Sequence, residues 1–254
     1  MYSKNIDIQQ RVEQHHKFVC EHYPESQILG VFLYGSQNYD LDTPFSDVDT
    51  KAIYIPTFEE VLFNQPISKE LHLPNGEHCE VKDIREFVKN LYKQNINFVE
   101  ILFTDYFVLN ETFKDIWEET FMQYKEDIAR YDMNKAIHSM SHQASHTLSQ
   151  AENGTNPCKK LANVARLIYF LQRYLKGEDY LDCLRPVGID HDRIYNLKTQ
   201  PKTIASYEVT IEMFKMILDY YKQADYEYYN CKEIQNELES ILKKAIMRMV
   251  KLIF

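Results

Sequence analysis

The chain has little of what makes linkers: 6 glycines and 8 prolines in 254 residues leave scant room for long flexible connections. It has no Cys-x-x-Cys pair, and its five cysteines (Cys20, Cys79, Cys158, Cys183, Cys231) are an odd number, which argues against a disulfide framework. No secretory leader opens it, since the first residues run polar through Met1, Ser3, Lys4 and Asn5. No apolar run approaches the roughly 20 residues of a membrane span. A cytoplasmic protein with free thiols and no membrane partner is expected, and Asn153-Gly154-Thr155 is read as a chance glycosylation sequon. Positive charge is also short. With 29 Lys and Arg against 38 Asp and Glu, the net charge of −9 speaks against nonspecific gripping of duplex nucleic acid, although a local basic groove stays open.

What is present is ordinary for a globular chain of one large or two small domains, with 44% hydrophobic and 26% charged residues. The 19 tyrosines against one tryptophan suit a helix-packed interior with amphipathic rings at its margins. Residues 6–20 carry Ile8, Val12 and Phe18-Val19 near helical spacing and predict an amphipathic helix. Residues 28–34 are an apolar run ended by Gly35-Ser36, a buried strand. Residues 48–55 form a second strand, stopped by Pro56, after which Thr57 caps a short helix. Residues 67–73 and 78–84 flank Pro74-Asn75-Gly76, a hairpin signal because Asn-Gly accepts the positive φ of a tight turn. From Asp83 the apolar period turns helical. After a short stretch at 106–109, helices are expected near 111–131, 133–152, 157–176, 203–224 and 231–253. The fold class is therefore α/β: a small mixed sheet in a first domain (1–110), then an all-α helical domain (111–254) closing a cleft.

The chemistry lies between Gly35 and Asp49. Gly-Ser follows an apolar strand directly, and Asp47-Val48-Asp49 opens the next strand. Strand side chains alternate, so Asp47 and Asp49 share a face while Val48 points into the core. Two such carboxylates suit Mg²⁺ (or Mn²⁺), which prefers oxygen ligands and keeps positions open for water and phosphate. The Gly35-Ser36 turn offers backbone N–H groups and a hydroxyl to phosphate oxygens. The pattern predicts a two-metal transfer from an NTP, one ion bridging the outer phosphates and the other activating a hydroxyl, with pyrophosphate leaving. A bare Asp-x-Asp is common at solvated strand ends, and a bare Gly-Ser is only a turn. Their joint occurrence carries the reading. Such sites are completed by a third carboxylate on a neighbouring strand. Glu80 is the candidate, between Cys79 and Val81, with Asp83 in reserve. No Lys or Arg lies within 35–50, so the phosphate-facing cations are expected from Lys159 and Arg166, seven apart on one helix face. Lys51 follows immediately, and strict alternation would place it on the carboxylate face too.

Gly-Ser followed by Asp-x-Asp resembles the signature of the polymerase-β-like nucleotidyltransferase superfamily. The fuller run GSxxYxLxTPxSDxDxxxxYIP, from Gly35 to Pro56, looks like the branch found beside RNA ligases in bacteria and phages. The segment from Gln94 to Leu102, with Asn95 and Glu100, is similar to that branch's asparagine-led, glutamate-bearing helix. Lys159 and Arg166 match its Lys…Arg pair. The resemblance implies a nucleotidyltransferase with Asp47, Asp49 and Glu80 as catalytic metal ligands. Gly35, Ser36, Lys159 and Arg166 would face the NTP, and an RNA end is the acceptor favoured over a protein hydroxyl. The chain departs from the branch at Asp40, where glycine is usual, at Glu80, where aspartate is, and at Asn163, where histidine is frequent.

Other features have plainer readings. His138, His142 and His146 recur on one helix face among serines, a polar face rather than a metal site. Lys159, Lys160, Arg166 and Arg173 form a basic stripe. Tyr220, Tyr221, Tyr226, Tyr228 and Tyr229 are expected to pack between helices rather than stack bases. Lys243, Lys244, Arg248 and Lys251 fit an amphipathic C-terminal helix.

Overall fold

The apolar run after the first helix becomes β1 (Ile28–Tyr34) of a five-stranded sheet with β2 (Asp49–Tyr54), β3 (Ser68–His72), β4 (His78–Asp83) and β5 (Phe107–Leu109). The order is β3-β4-β2-β1-β5. β2 runs parallel to β4 and antiparallel to β1, and the edge strands pair antiparallel, so the sheet is mixed. The structure, a computed structural model, describes residues 4–154, 156–200, 207–224, 226 and 232–253. Gly30 admits the edge strand: a Cβ there would meet the Val108 carbonyl oxygen at 2.6 Å. The Asn-Gly hairpin forms as expected, with Gly76 at φ +90°. Thr57 and Glu60 make a reciprocal capping box at α2 (Phe58–Leu62).

One face of the sheet is covered by α1 (Lys4–Cys20). Its Ile8, Val12 and Val19 bury against Val31, Leu33, Val48, Ala52 and Val81. On the other face Leu29, Phe32 and Ile53 enter a larger core. Trp117 packs 4.8 Å from the Phe32 ring there, and Phe87 packs 5.8 Å from Phe121. That core is built by α3 (Ile84–Tyr92), α4 (Ile96–Val99), α5 (Lys114–Ile116), α6 (Lys125–Ala129), α7 (Met133–Glu152) and α8 (Pro157–Tyr174). It continues through α9 (Tyr180–Leu184), α10 (Gly188–Thr199), α11 (Glu208–Gln223) and α12 (Lys232–Lys251).

The α/β class holds, with every described strand before residue 110 and helices after it. The segment expected as one helix at 111–131 is broken into short pieces around a wide turn at Trp117–Met122, and Trp117 and Phe121, four apart and so on one face, both bury in the core. α9 and α10 were not expected. α10 carries one buried residue, Ile194, and so lacks the apolar period that marks a helix in sequence. The described cysteines Cys20, Cys79, Cys158 and Cys183 are free, and Cys231 lies outside the described residues. Thr155 of the sequon, Tyr228 and Tyr229 lie outside them too. No helix among the described residues is long and apolar enough to cross a membrane.

Candidate active site

β1 delivers the Gly-Ser turn beside the carboxylates because its last residue, Tyr34, is paired in register with Asp49. Gly35 then takes φ +92°, the left-handed region that favours glycine, with its Cα side facing Asp49 Oδ2, 3.4 Å from where a Cβ would sit. A short 3₁₀ turn follows at Ser36–Tyr39, ending in the left-handed Asp40 (φ +57°). This is the position where the resembling branch usually has glycine.

β2 begins at Asp49, so Asp47 stands just before the strand. Val48 is fully buried against α1, leaving Asp47 exposed and Asp49 half-buried at the N-terminal end of the central strand. The Asp47–Val48 peptide is held at both ends. The Gln37 side-chain amide donates to the Asp47 carbonyl, and the Val48 N–H donates to Glu77 Oε1 at 2.8 Å. Burial pushes the Asp49 pKa up and Asp47 adds to the rise, while His78, Lys159 and Lys51 oppose it. His78 Nε2 lies 3.4 Å from Asp49 Oδ1. Two hard oxygen donors that repel each other at an open strand end fit a divalent cation.

Glu80, expected as the third ligand, stands two residues along the ladder from Asp49. In the parallel ladder the residue opposite Asp49 is His78, and Glu80 stands opposite Lys51. Its carboxylate is 3.0 Å from Lys51 Nζ and 3.5 Å from Lys82 Nζ, and it accepts the Tyr34 hydroxyl at 2.8 Å. Burial works to raise the Glu80 pKa, but Lys51, Tyr34 and Lys82 together hold it below its usual value. Lys51 does point to the carboxylate face. It is 2% exposed, with Nζ 3.5 Å from the centre of the Tyr34 ring. Asp83, the reserve, caps α3 and is bound by Arg85 at 2.6 Å. Among the described residues, no three His, Cys, Asp or Glu side chains gather in a metal-holding set, the α7 histidines included.

A cleft of about 470 Å³ opens over the turn. Tyr34, Gly35, Ser36 and Asp49 line it from the sheet side, and Lys159, Lys160, Asn163 and Arg166 line it from α8. Asp47 and Glu80 are not in its wall, and Arg173 is turned away to pair with Glu178. Arg166 is 3% exposed. Its guanidinium stacks 3.9 Å over the Tyr39 ring and donates to Asn163 Oδ1 at 3.0 and 3.2 Å, and Nη1 is buried without a partner. Beneath the turn lies Glu100, fully buried, with neither carboxylate oxygen in a hydrogen bond of good geometry. Burial raises its pKa, while Tyr39, Arg166, Lys51 and the Gly35 amide pull the other way.

The helical half also holds the turn's backbone. Arg185 Nε donates to the Asn38 carbonyl at 3.0 Å, and His191 Nε2 donates to that of Asp40 at 2.9 Å. Lys198 donates to the Leu41 carbonyl. None of Gln37, Glu77, Arg185, His191 or Lys198 stood out in the sequence. Glu100 did so only through the resemblance of its helix.

No known family pattern matches the chain, and no curated protein matches it. Among solved structures it is similar to a nucleotidyltransferase-like protein from Exiguobacterium sibiricum 255-15. The two share 12% identity over 93% of this chain and 91% of that one, with a TM-score of 0.31. A likeness that slight decides nothing about the chemistry, which has to be read from the site.

Proposed function

We propose that the chain is a nucleotidyltransferase that moves a nucleoside monophosphate from an NTP to a hydroxyl. The observation that carries this reading is the convergence of Gly35, Ser36, Asp49, Lys159 and Arg166, distant in sequence, on one cleft of about 470 Å³. That volume is within the range of small-molecule sites. Asp47 and Asp49 would hold Mg²⁺ or Mn²⁺, which when bound neutralises phosphate charge and lowers the pKa of a hydroxyl. Ser36 and the turn's amides receive the phosphate oxygens. Lys159 and Arg166 bind the outer phosphates, and Tyr39 and Asn163 fix the plane of the Arg166 guanidinium. The acceptor oxygen bonds to the α-phosphorus as the bond to pyrophosphate breaks. Glu80 is assigned as counter-ion to Lys51, whose buried charge sits behind Asp49.

An RNA end is the favoured acceptor. A protein hydroxyl is the rival, and a degenerate nucleotide-binding module is the non-catalytic one. Purified chain is incubated with each labelled NTP and Mg²⁺ or Mn²⁺, with RNA ends or with cell extract. Pyrophosphate release with label on RNA supports the reading in full. Label on protein keeps the enzyme and replaces the acceptor. NTP binding with no release under any condition leaves the binding module.

A further inference from the structure

The peptide unit between the two aspartates is gripped from opposite sides by buried side chains outside the Asp-x-Asp triplet. Gln37, 5% exposed, donates to its carbonyl. Glu77, 3% exposed, accepts from its N–H. Because Val48 precedes β2, no described strand partner takes that amide, and Glu77 is the group that satisfies it. Glu77 is itself held on every side. Arg11 of α1 forms an ion pair with it, His15 Nε2 lies 3.0 Å from Oε2, and Asn75 Nδ2 donates to Oε2 at 2.7 Å. His15 is fully buried and reaches Thr50 Oγ1 at 2.7 Å with its other nitrogen, so the same network fixes the residue after Asp49. A carboxylate only accepts, so His15 Nε2 carries the hydrogen and Nδ1 accepts from the threonine hydroxyl.

We infer that Glu77 and Gln37 are positioning residues. Together they set the plane of the Asp47–Val48 peptide, and through it the angle between the Asp47 and Asp49 carboxylates, so that the pair binds a divalent cation. The inference rests on the reading of that pair as the cation's ligands. Rotation of this one peptide swings Asp47 relative to Asp49, and the Asp47 side chain is exposed. A ligand set of two carboxylates depends on such outside support, because among the described residues no third His, Cys, Asp or Glu joins it in a metal-holding set.

The test titrates Mn²⁺ alone into the full chain, without NTP, and follows Val48 amide hydrogen exchange in the same samples. Glu77→Ala is expected to weaken Mn²⁺ binding about 10–100-fold, as loss of outer-shell support does, and to speed Val48 exchange. Glu77→Gln, which keeps an acceptor for the amide, should recover most of both. Gln37→Leu leaves the Arg11 and His15 network whole and should also weaken Mn²⁺, so the inference stays testable if Glu77→Ala fails to fold. Wild-type affinity in folded Glu77→Ala or in Gln37→Leu overturns it. If wild type shows no saturable Mn²⁺ binding, the metal reading of the pair fails, and the positioning of this peptide is then decided by Val48 exchange alone. Faster exchange in a folded variant upholds it, and unchanged exchange removes it.

Discussion

The turn at 35–41 gives carbonyls to cations from the helical half: Asn38 to Arg185, Asp40 to His191, Leu41 to Lys198. The segment at 47–49 does the reverse, giving the Val48 amide to an anion, Glu77, that comes from the β3–β4 hairpin and is anchored by α1. The proposed phosphate side of the site therefore depends on docking of the helices, and the proposed cation side depends on the sheet, its first helix and Gln37 of the turn. Each support matches the electrical need next to it. Cations spread along the turn add to the potential that draws phosphate. A carboxylate behind Val48 stays buried and pairs with Arg11, so it adds little field where a metal would bind. Damage to one support should then appear in NTP affinity, and damage to the other in metal affinity.

The largest effect should come from the metal side. Asp49→Asn is expected to cut turnover roughly a thousand-fold or more, several kcal/mol of transition-state stabilisation. It should leave the metal-free fold as stable or more so, because burial and Asp47 already penalise the Asp49 charge. Each kcal/mol gained would raise the melting temperature by roughly 2–4 °C in a chain of this size. Retained turnover would break the assignment. Next comes the pair behind the site. Removing one partner of a buried ion pair costs about 3–5 kcal/mol, so Glu80→Gln and Lys51→Met should each destabilise markedly, and the double variant should cost less than their sum. Additive losses would show that Glu80 is not the counter-ion of Lys51.

On the turn side, Lys159→Ala and Arg166→Ala are each expected to raise KM for NTP about 10–100-fold, since a charge-assisted hydrogen bond is worth roughly 1.5–3 kcal/mol. Arg185→Ala, which removes a donor to the Asn38 carbonyl and the ion pair with Asp105, belongs at the bottom of that range. Arg185→Ala should leave Mn²⁺ affinity unchanged. A loss of metal binding in Arg185→Ala would join what the structure separates.

Much of this arrangement was legible in local sequence. Strand, turn and strand were marked by apolar runs and by Gly35, the hairpin by Asn75-Gly76, and the α8 face by the seven-residue spacing of Lys159 and Arg166. Registers were less accessible. Alternation does put Glu80 on the carboxylate face, but which β2 residue it meets depends on how two parallel strands slide together, and the answer is Lys51. Glu77 lies one residue outside its strand, and no periodicity marks a side chain that bonds an amide 29 residues away. α10 was unreadable for the opposite reason. Its role is polar, to carry His191 and Lys198 to the turn, and a helix with one buried residue leaves almost no apolar signature.

The smallest expected effect is on pH dependence, and it separates the two supports by sign. Burial and Arg11 lower the His15 pKa from 6.5 to about 4. The unfolded chain therefore takes up a proton over that interval while the folded chain does not. Stability supported by neutral His15 is complete above pH 6.5 and is lost as the pH falls toward 4. One pKa unit is about 1.4 kcal/mol, so a loss on the order of 1–3 kcal/mol is expected. His191 moves the other way. The Asp40 carbonyl it binds, with help from Asp192, raises its pKa, so its contribution is present below pH 6.5 and fades as the pH climbs through the raised value. Acid should thus loosen the sheet-side hold on Val48 while tightening the helix-side hold on the turn. Denaturant melts of wild type and His15→Gln between pH 4 and 8 measure the first effect, and the variant should lose the acid-side decline. Amide exchange at Val48 and at Leu41, followed over the same range, separates the two. Val48 should exchange faster relative to its intrinsic rate as the pH drops, and Leu41 should not. Parallel behaviour of the two amides would mean that one cooperative unit holds both segments, and that the division into two supports is a feature of geometry without energetic consequence.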